Sequence, residues 1–215
     1  MAVDCFFYLE DDRGEQVQGE SSDLVFKDCI ELTKFDFDAI SDVERKDLDN
    51  EEMQEWRKNM FTDDGFFGGG GSFGAVAMNM GDEEATARDS FTFSVSKMYD
   101  KSSPALFLNY CQATRRNRAA VPFKTGSIYL RLPGTPRDPD KDWDNQAFLV
   151  MEFENLHVTK YQIKHDSESN IPDESITFYF ESYVMKYRRQ ETEGHLATDL
   201  VQKGFDFLTL SPKPS

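Results

Sequence analysis

Cysteine and histidine are scarce in this chain, which limits the covalent and metal-bound frameworks it can build. Among 215 residues there are three of each. The cysteines have no regular spacing, so they predict neither a disulfide framework nor a zinc site, and we expect buried free thiols: Cys5, Cys29 and Cys111. The histidines lack the paired spacing of metal ligands: His157, His165 and His195. No metal centre is therefore predicted from these residues.

Basic residues are too few to balance the acidic ones. The chain has 24 Lys and Arg against 40 Asp and Glu, which gives a formal net charge of −16. A surface of this charge repels the phosphates of nucleic acids and the headgroups of anionic membranes. We therefore expect no nucleic-acid partner, whereas a basic protein surface would be electrostatically complementary.

Long hydrophobic runs are also missing, although apolar residues are plentiful. No run reaches the 18 residues that a membrane-spanning helix needs, and no basic segment precedes an apolar one at the start. We expect neither membrane insertion nor a cleaved signal peptide. The 19 phenylalanines supply ample core material for one domain of this length, which buries about 70% of its unfolded surface.

The sequence lacks the common signatures of catalysis and cofactor binding. Residues 71–74, Gly-Ser-Phe-Gly, do not form the Gly-x-Ser-x-Gly of a nucleophile elbow. The glycine run at 68–71 is not followed by the Gly-Lys-Ser/Thr of a phosphate-binding P-loop. We therefore predict a protein that is not an enzyme and binds no cofactor.

One acidic loop has a partial calcium-binding pattern. Its aspartates alternate like the first ligands of a calcium loop: Asp138, Asp140, Asp142 and Asp144. However, Trp143 stands where that loop needs glycine, and Leu149 stands where it needs glutamate. A solvated loop is the preferred interpretation, and no metal site is predicted.

Short alternating runs predict a mainly β fold. The run from Val3 to Leu9 is typical of a buried strand, and Ser90 to Lys97 alternates with its aromatic residues on one face. Residues 176–185 alternate as a single strand. Further strands are predicted at 24–32, 128–132 and 148–163, with a bend near 33–34 and a break near Asn155.

One helix follows the strand that ends near Lys97. Ser102 or Ser103 is placed to cap it, and Pro104 falls in its first turn. Its expected inward face consists of Leu106, Phe107, Tyr110 and Cys111. The predicted fold is therefore a β-barrel or sandwich of seven or eight strands with one packed α-helix and acidic insertions.

The segment between the early strands and the helix is unusually acidic. Residues 41–64 contain nine acidic and four basic residues. Met53, Trp56 and Met60 have the i, i+3, i+7 spacing of an amphipathic helix, which would dock either on its own domain or on a partner. The glycines at 68–71 suit a backbone that bends freely or passes close to another surface, and we interpret them as a flexible inter-subunit loop.

The order of these segments resembles the haemolysin-coregulated protein (Hcp) family, the inner-tube subunits of type VI secretion systems. The most specific match is Phe91-Thr92-Phe93 leading to Lys97 and then to Asp100-Lys101-Ser102-Ser103-Pro104. The other matching segments are Met1-Ala2-Val3-Asp4, Gly19-Glu20-Ser21, the glycine run and residues 105–111, 128–132, 151–156 and 174–178.

The resemblance implies a β-barrel-like fold whose copies form hexameric rings. Such rings stack into a hollow tube inside a contractile sheath, carry a spike at the tip and hold effector proteins in the lumen. The resemblance also implies synthesis in the bacterial cytoplasm and export through the apparatus. The alternatives are a non-polymerising effector carrier or chaperone-like member, and a tube protein of a related phage-like or extracellular injection system.

The expected organisation is one Hcp-like domain over residues 1–188. Insertions are expected at 41–64 and 133–146, and residues 189–215 form a C-terminal extension. The residues expected to take part in assembly are the glycines and the strand–helix junction: Gly68, Gly69, Gly70, Gly71, Asp100, Lys101, Ser102 and Ser103.

Overall fold

A computed structural model describes residues 3–37, 92–113, 121–165, 170–191 and 195–213. Within these ranges the chain forms ten strands, one α-helix and a short 3₁₀ turn. The expected mainly β class with one helix is confirmed. The elements are β1 Asp4–Glu10, β2 Ile30–Glu31, β3 Lys34–Phe37, β4 Thr92–Met98, α1 Ser103–Ala113, β5 Phe123–Arg131, β6 Leu149–Lys164, β7 Asp173–Tyr179, β8 Ser182–Tyr187, β9 Val201–Asp206 and β10 Ser211–Lys213.

The long strand β6 organises the sheet. Its first half pairs with both β5 and β8, and its second half pairs with β7. From β7 the pairing continues to β4 and β3, and from β5 it continues to β1 and β2. All of these pairs are antiparallel, as expected for neighbouring strands that alternate inward and outward side chains.

The segment that carries β2 and β3 joins the two ends of this arrangement. The Leu32 N–H donates to the Cys5 carbonyl at 2.9 Å, and the Thr33 N–H donates to the Ser96 carbonyl at 2.8 Å. One side of the segment therefore bonds to β1 and the other to β4, which completes a circuit of paired strands. The bend predicted near 33–34 lies where the chain passes from one partner to the other.

The core inside this circuit is largely aromatic. The Phe93 ring stacks on Phe153 at 4.3 Å and on Phe178 at 5.1 Å, and the Phe7 ring meets Phe178 edge-on at 5.5 Å. All four rings are almost completely buried. Because they come from four different strands, their burial holds the circuit together.

A second cluster lies beneath the loop that was expected to be solvated. Trp143, in the 3₁₀ turn Trp143–Asn145, packs against Tyr8 at 5.3 Å, Phe26 at 5.7 Å and Tyr129 at 5.8 Å. Asp144 pairs with Lys186 at 2.7 Å. The loop is therefore attached to the sheet, because an indole ring buries its apolar area more favourably there than in water.

Three strand predictions need correction. Residues 24–28 are bends and turns rather than strand, because the Asp23 carboxylate accepts the Val25 and Phe26 N–H groups at 2.9 and 3.2 Å. The single strand expected at 176–185 is interrupted between β7 and β8. Conversely, β6 continues through the expected break, where Asn155 takes a φ of 54° and the pairing with β5 skips one residue.

The helix differs from expectation in one residue, and the C-terminal segment extends the sheet. Phe107, expected on the inward face of α1, is 49% exposed, whereas Leu106 is buried. The chain after Arg189 joins the sheet, because β9 pairs with β8 along six residues and β10 pairs with β9. Gly204 permits this ribbon, since a Cβ there would lie 2.5 Å from the Tyr183 carbonyl oxygen.

Candidate assembly site

The strand–helix junction is built from short polar side chains that satisfy the start of α1. The Ser102 carbonyl accepts the N–H groups of Ala105 and Leu106, both at 3.1 Å. The Asp100 carboxylate accepts the Ser102 N–H at 2.9 Å and the Ser102 hydroxyl at 2.5 Å. These bonds fix the turn that leads from β4 into the helix, as capping residues do at helix N-termini.

Lys97 lies at the centre of this junction and is 1% exposed. Its Nζ lies 2.7 Å from Asp100 Oδ1 and 2.7 Å from Glu174 Oε2. It also donates to Ser103 Oγ at 2.9 Å and to the Met98 carbonyl at 2.9 Å. A buried ammonium is tolerated because its charge is compensated and its protons are all used.

Glu174 connects the junction to the sheet beneath the helix. Its Oε2 accepts the Ser103 hydroxyl at 2.7 Å, and its Oε1 accepts the Tyr161 hydroxyl. Burial, together with the Glu174 carboxylate, raises the pKa of Tyr161, so the phenol remains a donor at neutral pH. We call Lys97, Asp100, Ser103, Tyr161 and Glu174 the junction network; it links α1 to β4, β6 and β7.

The predicted assembly residues at the junction are brought together, but most of them face inward. Ser102 and Ser103 are fully buried and Asp100 is half-buried, whereas Lys101 is exposed. The first three therefore position the helix, and their part in assembly stays a prediction. The glycines at 68–71 and the stripe Met53, Trp56 and Met60 lie outside the described residues.

The sequence prediction did not include Lys97 and Glu174 among the site residues, although the alternation along their strands places both side chains inward. Lys97 continues the inward alternation of Phe93 and Val95 along β4, and Glu174 continues the inward alternation of Ile176 and Phe178 along β7. The register pairs Lys97 directly with Glu174. The signal that could have revealed this pair is a charged residue at an inward position of one strand together with a residue of opposite charge at an inward position of another strand.

A second ionic cluster, centred on Arg131, lies at the start of β1. Arg131 is 2% exposed and donates to Asp23 at 2.9 and 2.6 Å and to Asp4 at 2.9 Å. These bonds from Arg131 hold the pKa of Asp23 well below its usual range. The guanidinium also lies 5.2 Å from the Phe6 ring centroid and 5.5 Å from that of Phe26. The cluster anchors the loop that precedes β2.

Cys29 is buried as expected, whereas Cys5 and Cys111 are half-buried. Burial raises the pKa of Cys5 and of Cys29 to about 12, so both thiols stay protonated. In the part of the chain that the structure describes, no group of three or more metal-ligating side chains occurs. No helix within the same ranges is long and apolar enough to cross a bilayer.

Solved structures share this fold. A protein described as a type six secretion system protein is 21% identical, with a TM-score of 0.62 over 99% of this chain and 100% of that one. Hcp1 from Salmonella typhimurium is 16% identical, with a TM-score of 0.58 and the same coverage. A type VI secretion system effector from Yersinia pestis is 17% identical, with a TM-score of 0.54 over 94% of this chain and 99% of that one.

The fold is thus that of type VI secretion proteins. The family within this group is identified from the sequence. Residues 72–187 match the family described as "Type VI secretion system effector, Hcp". The chain belongs to the Hcp family. Its role is therefore structural, as a tube-forming component of type VI secretion. No curated protein matches the chain.

Proposed function

We propose that six copies of this chain close into a ring, and that rings stack into the inner tube of a contractile type VI secretion apparatus. The family match over residues 72–187 carries this proposal. The tube would lie inside a sheath, end in a spike and carry effector proteins in its lumen. In this function the chain acts mechanically and catalyses no reaction.

The sheet topology supports contacts through faces and loops rather than through long strand edges. Both sides of the segment that carries β2 and β3 are already bonded to other strands of the same chain. In the series of paired strands β8, β9 and β10, the outermost strand is β10. β10 has only three residues, Ser211–Lys213, and includes a proline and a lysine. Short strands with such residues resist edge-to-edge pairing, which favours ring contacts through faces and loops.

The place where residues 38–91 join the barrel supports stacking through that segment. The chain leaves the described barrel at Phe37 and returns at Thr92, and Phe37 pairs with Phe93 in neighbouring strands. A long segment with adjacent ends can vary without changing the barrel. It is therefore suited to a contact between rings, including the glycines at 68–71.

The hexamer is tested by size-exclusion chromatography with multi-angle light scattering. We expect a mass near six times the 24.8 kDa of one chain, and electron microscopy of the same peak should show rings with an open centre. A monomer that persists at tens of micromolar would contradict the proposal. Tubes at higher concentration would support stacking, whereas isolated rings at every concentration would favour a carrier that does not polymerise.

A further inference from the structure

The loop between β5 and β6 contains a peptide bond that is prone to attack by its own side chain. Of the eight prolines in the chain, Pro139 is the only one that follows an aspartate. In an Asp–Pro sequence the carboxylate can reach its own main-chain carbonyl carbon through a five-membered ring, and such intramolecular attack is strongly favoured by proximity. The proline nitrogen carries no hydrogen in the peptide and leaves as a secondary amine.

The side chain of Gln146 binds the backbone of Asp138 on both sides. Its Nε2 donates to the Asp138 carbonyl oxygen at 2.6 Å, and its Oε1 accepts the Asp138 N–H at 2.8 Å. The Nε2 also donates to the Lys141 carbonyl at 3.1 Å. Gln146 is 2% exposed, so water does not compete for these bonds. The amide is therefore fixed with a donor directed at the carbonyl that an attack would convert to an oxyanion.

The same carbonyl oxygen has a second donor. The Lys141 N–H donates to it at 3.2 Å, which closes a turn over Pro139 and Asp140. This bond is usual for a turn with proline at its second position, whereas the bond from Gln146 comes from a buried side chain eight residues further on. Two N–H donors on one carbonyl oxygen stabilise the negative charge that develops there when a nucleophile adds to the carbon.

The donor is held by the packed part of the loop, and the bond itself lies at the surface. The Gln146 N–H donates to the Trp143 carbonyl at 2.9 Å, and the Trp143 ring packs on the sheet. In contrast, Pro139 is exposed and the Asp138 side chain is 39% exposed. Water and solvent protons can therefore reach the bond while Gln146 stays in place.

The Asp138 carboxylate is held only weakly. Its Oδ1 accepts the Asp140 N–H at 3.2 Å, and its Oδ2 lies 3.4 Å from the Nζ of Lys141, which is itself exposed. The other neighbouring cation, Arg137, lies 3.8 Å from the Asp23 carboxylate. Because both contacts of Asp138 are long, either carboxylate oxygen can turn toward the carbonyl carbon at little cost.

We propose that the chain cleaves itself at the Asp138–Pro139 bond, with Gln146 and the Lys141 N–H as the oxyanion donors. A carboxylate oxygen of Asp138 bonds to its own main-chain carbonyl carbon, the bond from that carbon to the Pro139 nitrogen breaks, and the nitrogen takes a proton from solvent. Water then adds to the cyclic anhydride of Asp138 and opens it to two carboxyl groups. The net reaction consumes one water and leaves residues 1–138 and 139–215.

The two pieces stay together after cleavage. β5, before the bond, pairs with β6, after it, and β4 pairs with β7. The break falls in an exposed turn outside these ladders, so it need not disturb the barrel. The event happens once in the chain's own backbone and does not depend on ring or tube formation.

Comparison of the folded and unfolded wild type is the first test. The protein is incubated at a mildly acidic pH at which circular dichroism still reports the native fold, beside a sample in urea at the same pH. The folded sample is expected to cleave about a hundredfold faster, because only the fold supplies the Gln146 donor. N-terminal sequencing of the smaller piece should begin with Pro139. Equal rates, faster cleavage in urea or an intact folded chain would overturn the proposal.

Substitutions in the folded protein identify the groups. Asp138→Glu keeps the charge but needs a larger ring, and it should abolish cleavage at this bond. Gln146→Met keeps the length of the side chain without its donor and should slow cleavage by about a hundredfold. The control is Asp142→Glu, an exposed residue whose side chain makes no cap bond to the 3₁₀ turn, and its rate should equal that of the wild type.

Two outcomes among the variants would overturn the proposal. Cleavage of Asp138→Glu at the wild-type rate would show that another nucleophile acts, and an undiminished rate in Gln146→Met would show that its amide only holds the turn. If Gln146→Met loosens the loop, the folded and unfolded wild type still decide. Light scattering of the cleaved wild type shows separately whether rings form, so failure of either proposal leaves the other testable.

Discussion

At the scale of single residues, two of the buried ionisable groups among the described residues lead to predictions, Lys97 and His157. The Nζ of Lys97 lies 2.7 Å from both the Asp100 and the Glu174 carboxylates. His157 is 2% exposed and lies on β6, where burial lowers its pKa to about 4. Substitution tests the role of Lys97, and a pH profile tests the environment of His157.

Removing the central cation of the junction network is expected to destabilise the protein strongly. Lys97→Met keeps the length of the side chain but leaves the buried Glu174 carboxylate uncompensated, which costs about 3–5 kcal/mol in unfolding free energy. Urea denaturation measures the loss. Lys101→Met, on the exposed side of the junction, is the control and should change stability by less than about 0.5 kcal/mol. Similar stabilities for both variants would contradict the role of the network.

Acid is expected to weaken the fold through His157. The unfolded chain binds a proton near the ordinary histidine pKa of about 6.5, whereas the folded chain binds it only near 4. The stabilising contribution is therefore complete above pH 6.5 and is lost as the pH falls toward 4, by about 3 kcal/mol in total. His157→Gln should flatten this part of the stability–pH profile, measured by denaturation between pH 7 and 4.

At the scale of secondary-structure elements, the pattern of apolar residues predicts strands better than it predicts turns. β4 lies where apolar and polar residues alternate, because one of its faces is buried, and β1 lies in a continuous apolar run. The stretch 24–28 looks similar in sequence but is folded by the Asp23 carboxylate, which Arg131 holds from 108 residues away. Local pattern cannot reveal a turn that depends on such a distant partner.

Gly19 provides a test at this scale. A Cβ at Gly19 would lie 2.3 Å from the Cys29 carbonyl oxygen, and the contacted atoms are backbone, which cannot rotate away. Gly19→Ala should therefore separate residues 19–21 from 28–29 and lower the unfolding free energy by about 3 kcal/mol. Thermal unfolding checks this, with the exposed Glu20→Ala as the control. An unchanged midpoint for Gly19→Ala would show that the loop is not tightly held.

At the scale of the whole molecule, we expect the acidic segment 41–64 to be separable from the barrel. Because Phe37 and Phe93 are paired neighbours, a short linker can replace residues 41–64 without moving β3 or β4. We expect the variant that lacks residues 41–64 to keep the mass of its ring and to unfold thermally within a few degrees of the wild type, while tube formation changes. Light scattering and electron microscopy measure the two properties. Loss of the ring itself would place this segment in the ring contact instead.

The sequence alone was sufficient for the fold class, the family and the acidic character. Burial follows directly from the period of apolar residues, and net charge follows from composition, so neither needs the tertiary structure. The order of short segments around Phe91–Phe93 and Asp100–Pro104 was enough to predict the family, which the match over residues 72–187 bears out. The residues predicted for assembly within 38–91 stay predictions.

The tertiary structure alone decided which of these residues are buried and which are exposed. Asp100, Ser102 and Ser103 are turned inward because Lys97 and Glu174, 77 residues apart in sequence, meet across two paired strands. That register leaves Tyr99, Phe107 and Ile163 at the surface, although the helical pattern placed Phe107 inside. Such contacts join distant parts of the chain, and loop closure and packing select them rather than any local preference.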